Sequence, residues 1–366
     1  MHRPVFLRAV VVGAIVASAL TWVAAAVAGN RYAVHPLVSD NGVPGTTVDH
    51  NLVNAWGLVA GPTTPWWVAN NGTDSSTLYA GTGTPVPLVV SVGGGPTGLV
   101  FNGSMTDFMV SDGTSSGVAR FIFASEDGKI RGWSPGVPSP PPPPPALPLS
   151  TQTEVAVNRS PEDAIYKGLA ISETDDGAAR LYAADFHNAR VDVFDGSWHL
   201  IQRPGRFVDP KIPNGYAPFG IQAIGRTVYV AYAKQDAAAE DELAGPGRGF
   251  VDAYWPGGRL KARVAEHGRL NAPWGIAKAP GSFGRFGGDL LIGNFGNGHI
   301  NAFEHEGDHF EHEGQLRVGH DHPLAIDGLW ALEFGNDSAA GPSSTLFFTA
   351  GPDDESHGLF GSITPN

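Results

Sequence analysis

Trp56-Gly57-Leu58, Thr97-Gly98-Leu99, Lys167-Gly168-Leu169, Phe219-Gly220-Ile221, Trp274-Gly275-Ile276 and Asp327-Gly328-Leu329 are six versions of one phrase: a variable residue, a glycine and a branched apolar residue. Successive glycines stand 41, 70, 52, 55 and 53 residues apart, the period of a β-propeller blade. The long second interval holds the Pro140 to Pro145 tract, read as a Pro-rich loop inserted over residues 137–150. Each phrase leads into a second apolar run of buried-strand composition, such as Trp66-Trp67-Val68-Ala69, Leu181-Tyr182-Ala183-Ala184 and Leu346-Phe347-Phe348. A third run alternates, as in Val191-Asp192-Val193-Phe194 and Ile300-Asn301-Ala302-Phe303, and a more polar fourth follows in most copies.

The pattern predicts an all-β, six-bladed β-propeller of four-stranded blades. Its sixth copy ends one strand short, at residues 358–363, while a strand-like segment, Tyr32 to Val38, precedes the first copy. Pairing the N-terminal strand into the last blade would close the ring without an unpaired sheet edge. The second copy fits least well, because residues 107–111 read as an additional strand. No stretch reads as a helix of three turns, and the Ala- and acid-rich run 235–243 is read as a blade loop.

Residues 1–28 read as a signal peptide. Arg3 and Arg8 precede an apolar run from Val10 to Val23, and Ala26-Val27-Ala28 forms a small-x-small cleavage site. The expectation is a secreted or periplasmic protein, one propeller domain over 29–366 and no membrane contact after cleavage. Cysteine is absent, so core burial and ring closure must stabilise the fold unaided. The net charge of −13 becomes about −15 without Arg3 and Arg8. Such a balance repels phosphate backbones and argues against nucleic acid.

Several longer phrases, Asn51 to Leu58, Tyr166 to Ala170, Leu181 to Asn188, Ile326 to Leu332 and Phe348 to Glu355, resemble a family of exported bacterial six-bladed propeller proteins, NHL-like, some with a C-terminal sorting tail. The resemblance spans nearly the whole chain after residue 28. It implies a fold and an exported location and brings no activity. The chain ends at Pro365-Asn366 without an apolar tail.

Strands alternate in direction within a blade, so the loop entering the inner strand and the loop joining second to third strands share one face. That face should collect Asn54, Trp56, Lys167, Trp274 and Asp327 from entering loops, and Asn70, Asn71, Glu126, Asp127, Asp185, His187, Lys234, Asn294 and Asp353 from the others. Asn, Asp and Gly also fill turns for backbone reasons. Lys167, Asp185, His187 and Asp327 lie inside the longer phrases and carry more weight. A polar ring edged by tryptophans suits a polar small molecule, glycan or protein partner, and the reading is a monomeric, non-catalytic binding module. The alternative is a lactonase-like, metal-dependent hydrolase in which Glu126, Asp185, Asn294 and Asp327 hold a divalent cation such as calcium at the channel mouth. His305, His309 and His312, among six histidines between 299 and 322, read as a solvated hairpin on the opposite face with adventitious metal affinity.

Overall fold

The computed structural model describes residues 1, 29–139, 149–174, 176–201, 204–307, 309–319 and 322–366. Almost all of the expected leader, the proline tract 140–145 and His320 lie outside the described residues.

The protein is a six-bladed propeller of small antiparallel sheets. The inner strands are Ala55–Val59, Pro96–Phe101, Tyr166–Glu173, Tyr216–Ile224, Pro273–Lys278 and Leu329–Phe334. Blades one, two, four and five are four-stranded in sequence order; blade three has three described strands, ending at Arg190–Asp195. The additional structure expected in blade two is a two-stranded hairpin, Met109–Ser111 with Ser116–Val118. Residues 235–243 form a loop, tied by a bridge between Gln235 and Glu242.

The recurrent glycine has a mechanical cause. Every inner strand loses register with its second strand at the same place, as between Ala55 and Leu58, Tyr166 and Leu169, or Pro273 and Ile276. This bulge brings the backbone against the next inner strand. A Cβ on Gly275 would lie 2.5 Å from the Trp330 carbonyl oxygen, so only glycine lets the strands converge there.

The register corrects one expectation. Blade six breaks between Leu329 and Leu332, so Trp330 and Ala331, not Asp327 and Gly328, occupy the places of Trp56 and Gly57. The methyl of Ala331 is accommodated because Thr349 stands at this junction: Ala331 N–H donates to its Oγ1 (3.1 Å), which donates to the Trp56 carbonyl (2.5 Å). The hydroxyl spaces the two inner strands where the glycine would otherwise be required.

Ring closure follows the expected route. Tyr32–Ser39 pairs antiparallel with Leu359–Pro365, and Thr47–Val48 adds a short parallel edge. Tyr32 is fully buried, its ring 5.0 Å from Phe283 and 6.1 Å from Phe286 of blade five. The N-terminal strand thus also joins blades five and six. Tyr32→Ala should cost about 2–3 kcal/mol, somewhat less than a central aromatic truncation because the strand is terminal. Urea unfolding followed by tryptophan fluorescence checks this, and an unchanged midpoint would mean that the strand does not seal the ring.

At the same closure, Asp40 accepts from Gly358 N–H (3.0 Å) and from His357 Nδ1 (2.8 Å). This hydrogen bond, with the charge of Asp40, raises the imidazole above its ordinary value. Folding is therefore favoured by His357 below its unfolded pKa, and that contribution fades as pH rises through the higher folded value. Thermal melts of the wild type and His357→Gln should differ most near pH 6 and converge by about pH 8–9. A gap that widens with pH would contradict the pairing.

Candidate functional site

The residue before each bulge points inward, and the six are Trp56, Thr97, Lys167, Phe219, Trp274 and Trp330, all buried. Four are aromatic and fill the channel. Trp56 stacks on Trp330 with centroids 3.5 Å apart, Phe295 stacks on the same ring at 4.1 Å, and Trp274 and Phe219 each lie 5.8 Å from it. Such pairs add roughly 0.5–1.5 kcal/mol each beyond area burial. Below the plug is a chamber of about 30 Å³, lined by apolar side chains with Gln222 and Glu333. Their side chains meet at 2.9 Å, and burial pushes the Glu333 carboxyl up to about 7.

Above the plug sits Lys167, 1% exposed. Its Nζ donates to Glu126 Oε1 (2.5 Å) and Asp241 Oδ1 (3.0 Å), and lies 5.2 Å from the centre of the Trp56 ring. A buried ammonium persists only when paired, and the second-to-third loops of blades two and four supply its partners. Burial pulls the lysine pKa down, but Glu126 and Asp241 outweigh it and the net shift is upward. Lys167 therefore stays protonated.

The network continues around the mouth. Glu126 Oε2 accepts from Asn71 Nδ2 (2.9 Å), Asn71 Oδ1 from Asn54 Nδ2 (3.3 Å), and Asn54 Nδ2 also reaches Glu355 Oε2 (2.6 Å). The Trp330 indole N–H donates to Asn54 Oδ1 (3.1 Å), tying this arc to the plug. Asp353, Asp354 and Glu355 form a left-handed run with φ of 55°, 50° and 63°. Each such residue costs on the order of 1–2 kcal/mol, and the turn carries the Glu355 carboxylate to Asn54. Asp327 Oδ2 holds it by accepting from Asp353 N–H (2.9 Å).

The mouth holds more negative than positive charge. Burial pushes the Glu242 carboxyl up to about 8 against the pull of Lys167, and Glu355 and Asp241 raise it further. Glu355 is raised too, by burial, against its bond from Asn54 and the charge of Lys167. At neutral pH Glu242 is largely a neutral acid beside a lysine cation.

Asn54, Trp56, Lys167 and Trp274, with Asn71 and Glu126, are thus gathered at or just beneath one opening. Asp327, which is exposed, and Asp353 belong to the mouth through the turn that carries Glu355, and the remaining candidates sit elsewhere. Asn70 is buried within blade one on Ser75 and Thr77, and Asn294 bonds Asn297 and the Arg269 carbonyl. Asp185 is buried, accepts from Asn188 Nδ2 (2.9 Å) and pairs with Arg190 (3.1 Å). His187 is half-buried, its carbonyl near Gln235 Nε2 (3.3 Å). Asp127 pairs with Lys129 and Arg131, and Lys234 lies over Tyr216. Asp241, Glu242 and Glu355 were not among the sequence candidates. The signal that could have found them is Lys167 itself, a lysine where four other blades have an aromatic.

The residues weighed as metal ligands do not converge: Glu126 is bound to Lys167 and Asn71, and Asp185, Asn294 and Asp327 are engaged in separate loops. Among the described residues no three His, Asp or Glu side chains are grouped as a metal site requires. His305, His309 and His312 lie on the hairpin of Ile300–Glu306 and His309–Gln315, opposite the mouth; His305 faces Phe310 and His312 faces Phe303 across the strands.

No family model matches the chain. It is 32% identical over 345 residues to "Uncharacterized protein L690" of Acanthamoeba polyphaga mimivirus, covering 90% of this chain and 85% of the viral protein. The chain belongs to the family of that mimivirus protein. "Uncharacterized protein R648" of the same virus is 30% identical, over 90% of this chain and 79% of its own length. These relatives are viral, so the expected bacterial origin and export draw no support from them. Among solved structures, the soluble aldose sugar dehydrogenase of Escherichia coli superposes with a TM-score of 0.53 at 13% identity, over 92% of this chain and all of the enzyme. That likeness is one of fold. Virginiamycin B lyase from Staphylococcus aureus gives a TM-score of 0.47 at 12% identity, over 91% of this chain and 99% of the lyase.

Proposed function

We propose that the chain is a non-catalytic binding module that takes a polar ligand, a small molecule, glycan or protein segment, into the mouth above Lys167. The observation that carries this is the ordered arc from Asp241 through Lys167, Glu126, Asn71 and Asn54 to Glu355, standing over an aromatic floor. Its geometry is held by the protein before a ligand arrives, so little ordering cost is left for binding. Carboxylate and amide oxygens accept from hydroxyl and ammonium groups, and the tryptophans below give an apolar face. A lysine held protonated is neither nucleophile nor base.

A second reading, hydrolysis of a lactone or ester, draws on Glu242. A carboxyl pushed up to about 8 can donate a proton at neutral pH.

One experiment separates the two. Wild type and Glu355→Gln are applied to a printed array of neutral and charged oligosaccharides and peptides, and both are assayed against lactones and esters. Selective array binding, weakened about tenfold or more in the variant, with no turnover, is the expected result. Turnover abolished by Glu242→Gln would replace binding with hydrolysis.

Export belongs to the same proposal and rests on the N-terminal pattern alone. Amino-terminal sequencing of protein recovered from the medium should begin at Gly29, and an intact Met1 terminus retained in cells would contradict it.

A further inference from the structure

We propose that a second site, a groove between blades three and four on the face opposite the mouth, binds an amphipathic organic anion: a carboxylate on an apolar chain. The groove encloses about 890 Å³, within the roughly 300–1,000 Å³ of small-molecule sites.

Its origin is architectural. In blades one, two, four and five the third strand is covered by an outer strand of five to seven residues. In blade three the described chain returns only as far as a bridge from Leu200 to Phe194 and one bond from Ile201 N–H to the Val193 carbonyl (2.7 Å). Val191 and Val193 are left as one wall of the groove, with Phe207 and the half-buried Trp255 from the next blade. Val208, also lining it, is 54% exposed. Apolar surface of this kind is stabilised by an apolar occupant.

Charge selects the occupant's head group. Phe207 N–H donates to the Gly258 carbonyl (2.8 Å), which brings the segments bearing Arg206 and Arg259 side by side at the groove. Both side chains are exposed, and neither has a carboxylate partner among the described residues; Arg259 lies over the Trp255 ring at 5.5 Å. Among the described residues two acids line the groove: Asp192 is occupied by Arg190 (2.9 Å) and the Tyr166 hydroxyl (2.8 Å), and Asp176 is bonded by Thr174. Two guanidinium groups without a carboxylate partner among the described residues, beside an apolar wall in a chain of net charge −13, complement a carboxylate tail-first in the groove.

The test is isothermal titration calorimetry with laurate below its micelle concentration, and with dodecyltrimethylammonium as the cation of equal tail. Expected are saturable one-to-one binding of laurate, none of the cation, and a loss of about tenfold or more in Arg206→Glu/Arg259→Glu. Trp255→Ala should weaken laurate as well, through loss of the apolar wall and of the ring over which Arg259 lies. Both arginines are exposed, and circular dichroism verifies that the variants fold. Equal binding of the two amphiphiles, an affinity indifferent to charge reversal, or attachment to phosphatidylglycerol vesicles without binding of free laurate would each overturn the proposal.

Discussion

Replacing Lys167 with methionine should destabilise the protein by about 3–4 kcal/mol, in the lower half of the range for removing one partner of a buried pair because Asp241 is itself exposed. The side chain keeps its length and its contact with Trp56, so lost packing is small. What is lost is the positive charge around which Glu126, Asp241, Glu242 and Glu355 are arranged. The effect has a definite pH dependence. Glu242 and Glu355 already titrate above their ordinary values, so the folded state holds protons that the unfolded state releases, and stability falls as pH climbs through that interval. Without Lys167 the folded values rise further. The deficit of the variant should be small near pH 4–5, grow as the carboxylates ionise, and reach its full size only above the variant's own Glu242 value, which lies beyond about 8. Urea unfolding across that range measures it. A deficit independent of pH would show that Lys167 contributes only packing.

Gly220→Ala should cost about 3 kcal/mol or more, at or beyond the upper end for overpacking. The added methyl meets the Trp274 carbonyl, whose carbon would lie 2.8 Å away. Backbone cannot rotate aside as a side chain can, so blades four and five must part. Phe219 and Trp274 would be drawn out of register with Trp330. Thermal unfolding checks the cost, and near-ultraviolet circular dichroism should report loosening of the aromatic plug. Ala331 is the natural control: it holds the same position in blade six with Thr349 as spacer. Ala331→Gly should be tolerated within about 1 kcal/mol. If Gly220→Ala proved as benign, the steric account of the repeat would fail.

These two residues show what the sequence could carry. Blade number was readable because the bulges of five blades demand glycine in the same local setting, and the Tyr32 segment was readable as the closing strand because blade six lacked one. Asp327-Gly328 resembled the repeat closely enough to draw the sixth copy three residues out of register. The true position holds alanine, excused by a threonine eighteen residues downstream. The mouth was legible in its entering residues, Asn54, Trp56 and Lys167. It was not legible in Asp241, Glu242 and Glu355, because contacts spanning 74 residues, as between Lys167 and Asp241, leave no local spacing. Asp185 and Asn294 looked like site residues for the opposite reason: their turn roles give them a conspicuous pattern but hold them inside their own blades.

The most direct test of the mouth as a binding site is hydrogen–deuterium exchange with and without the tightest ligand found on the array. Protection is expected to concentrate in residues 51–54, 124–128, 235–242 and 353–357, with no change in 304–312. Protection of that opposite hairpin, with the mouth segments unaltered, would contradict binding at the mouth.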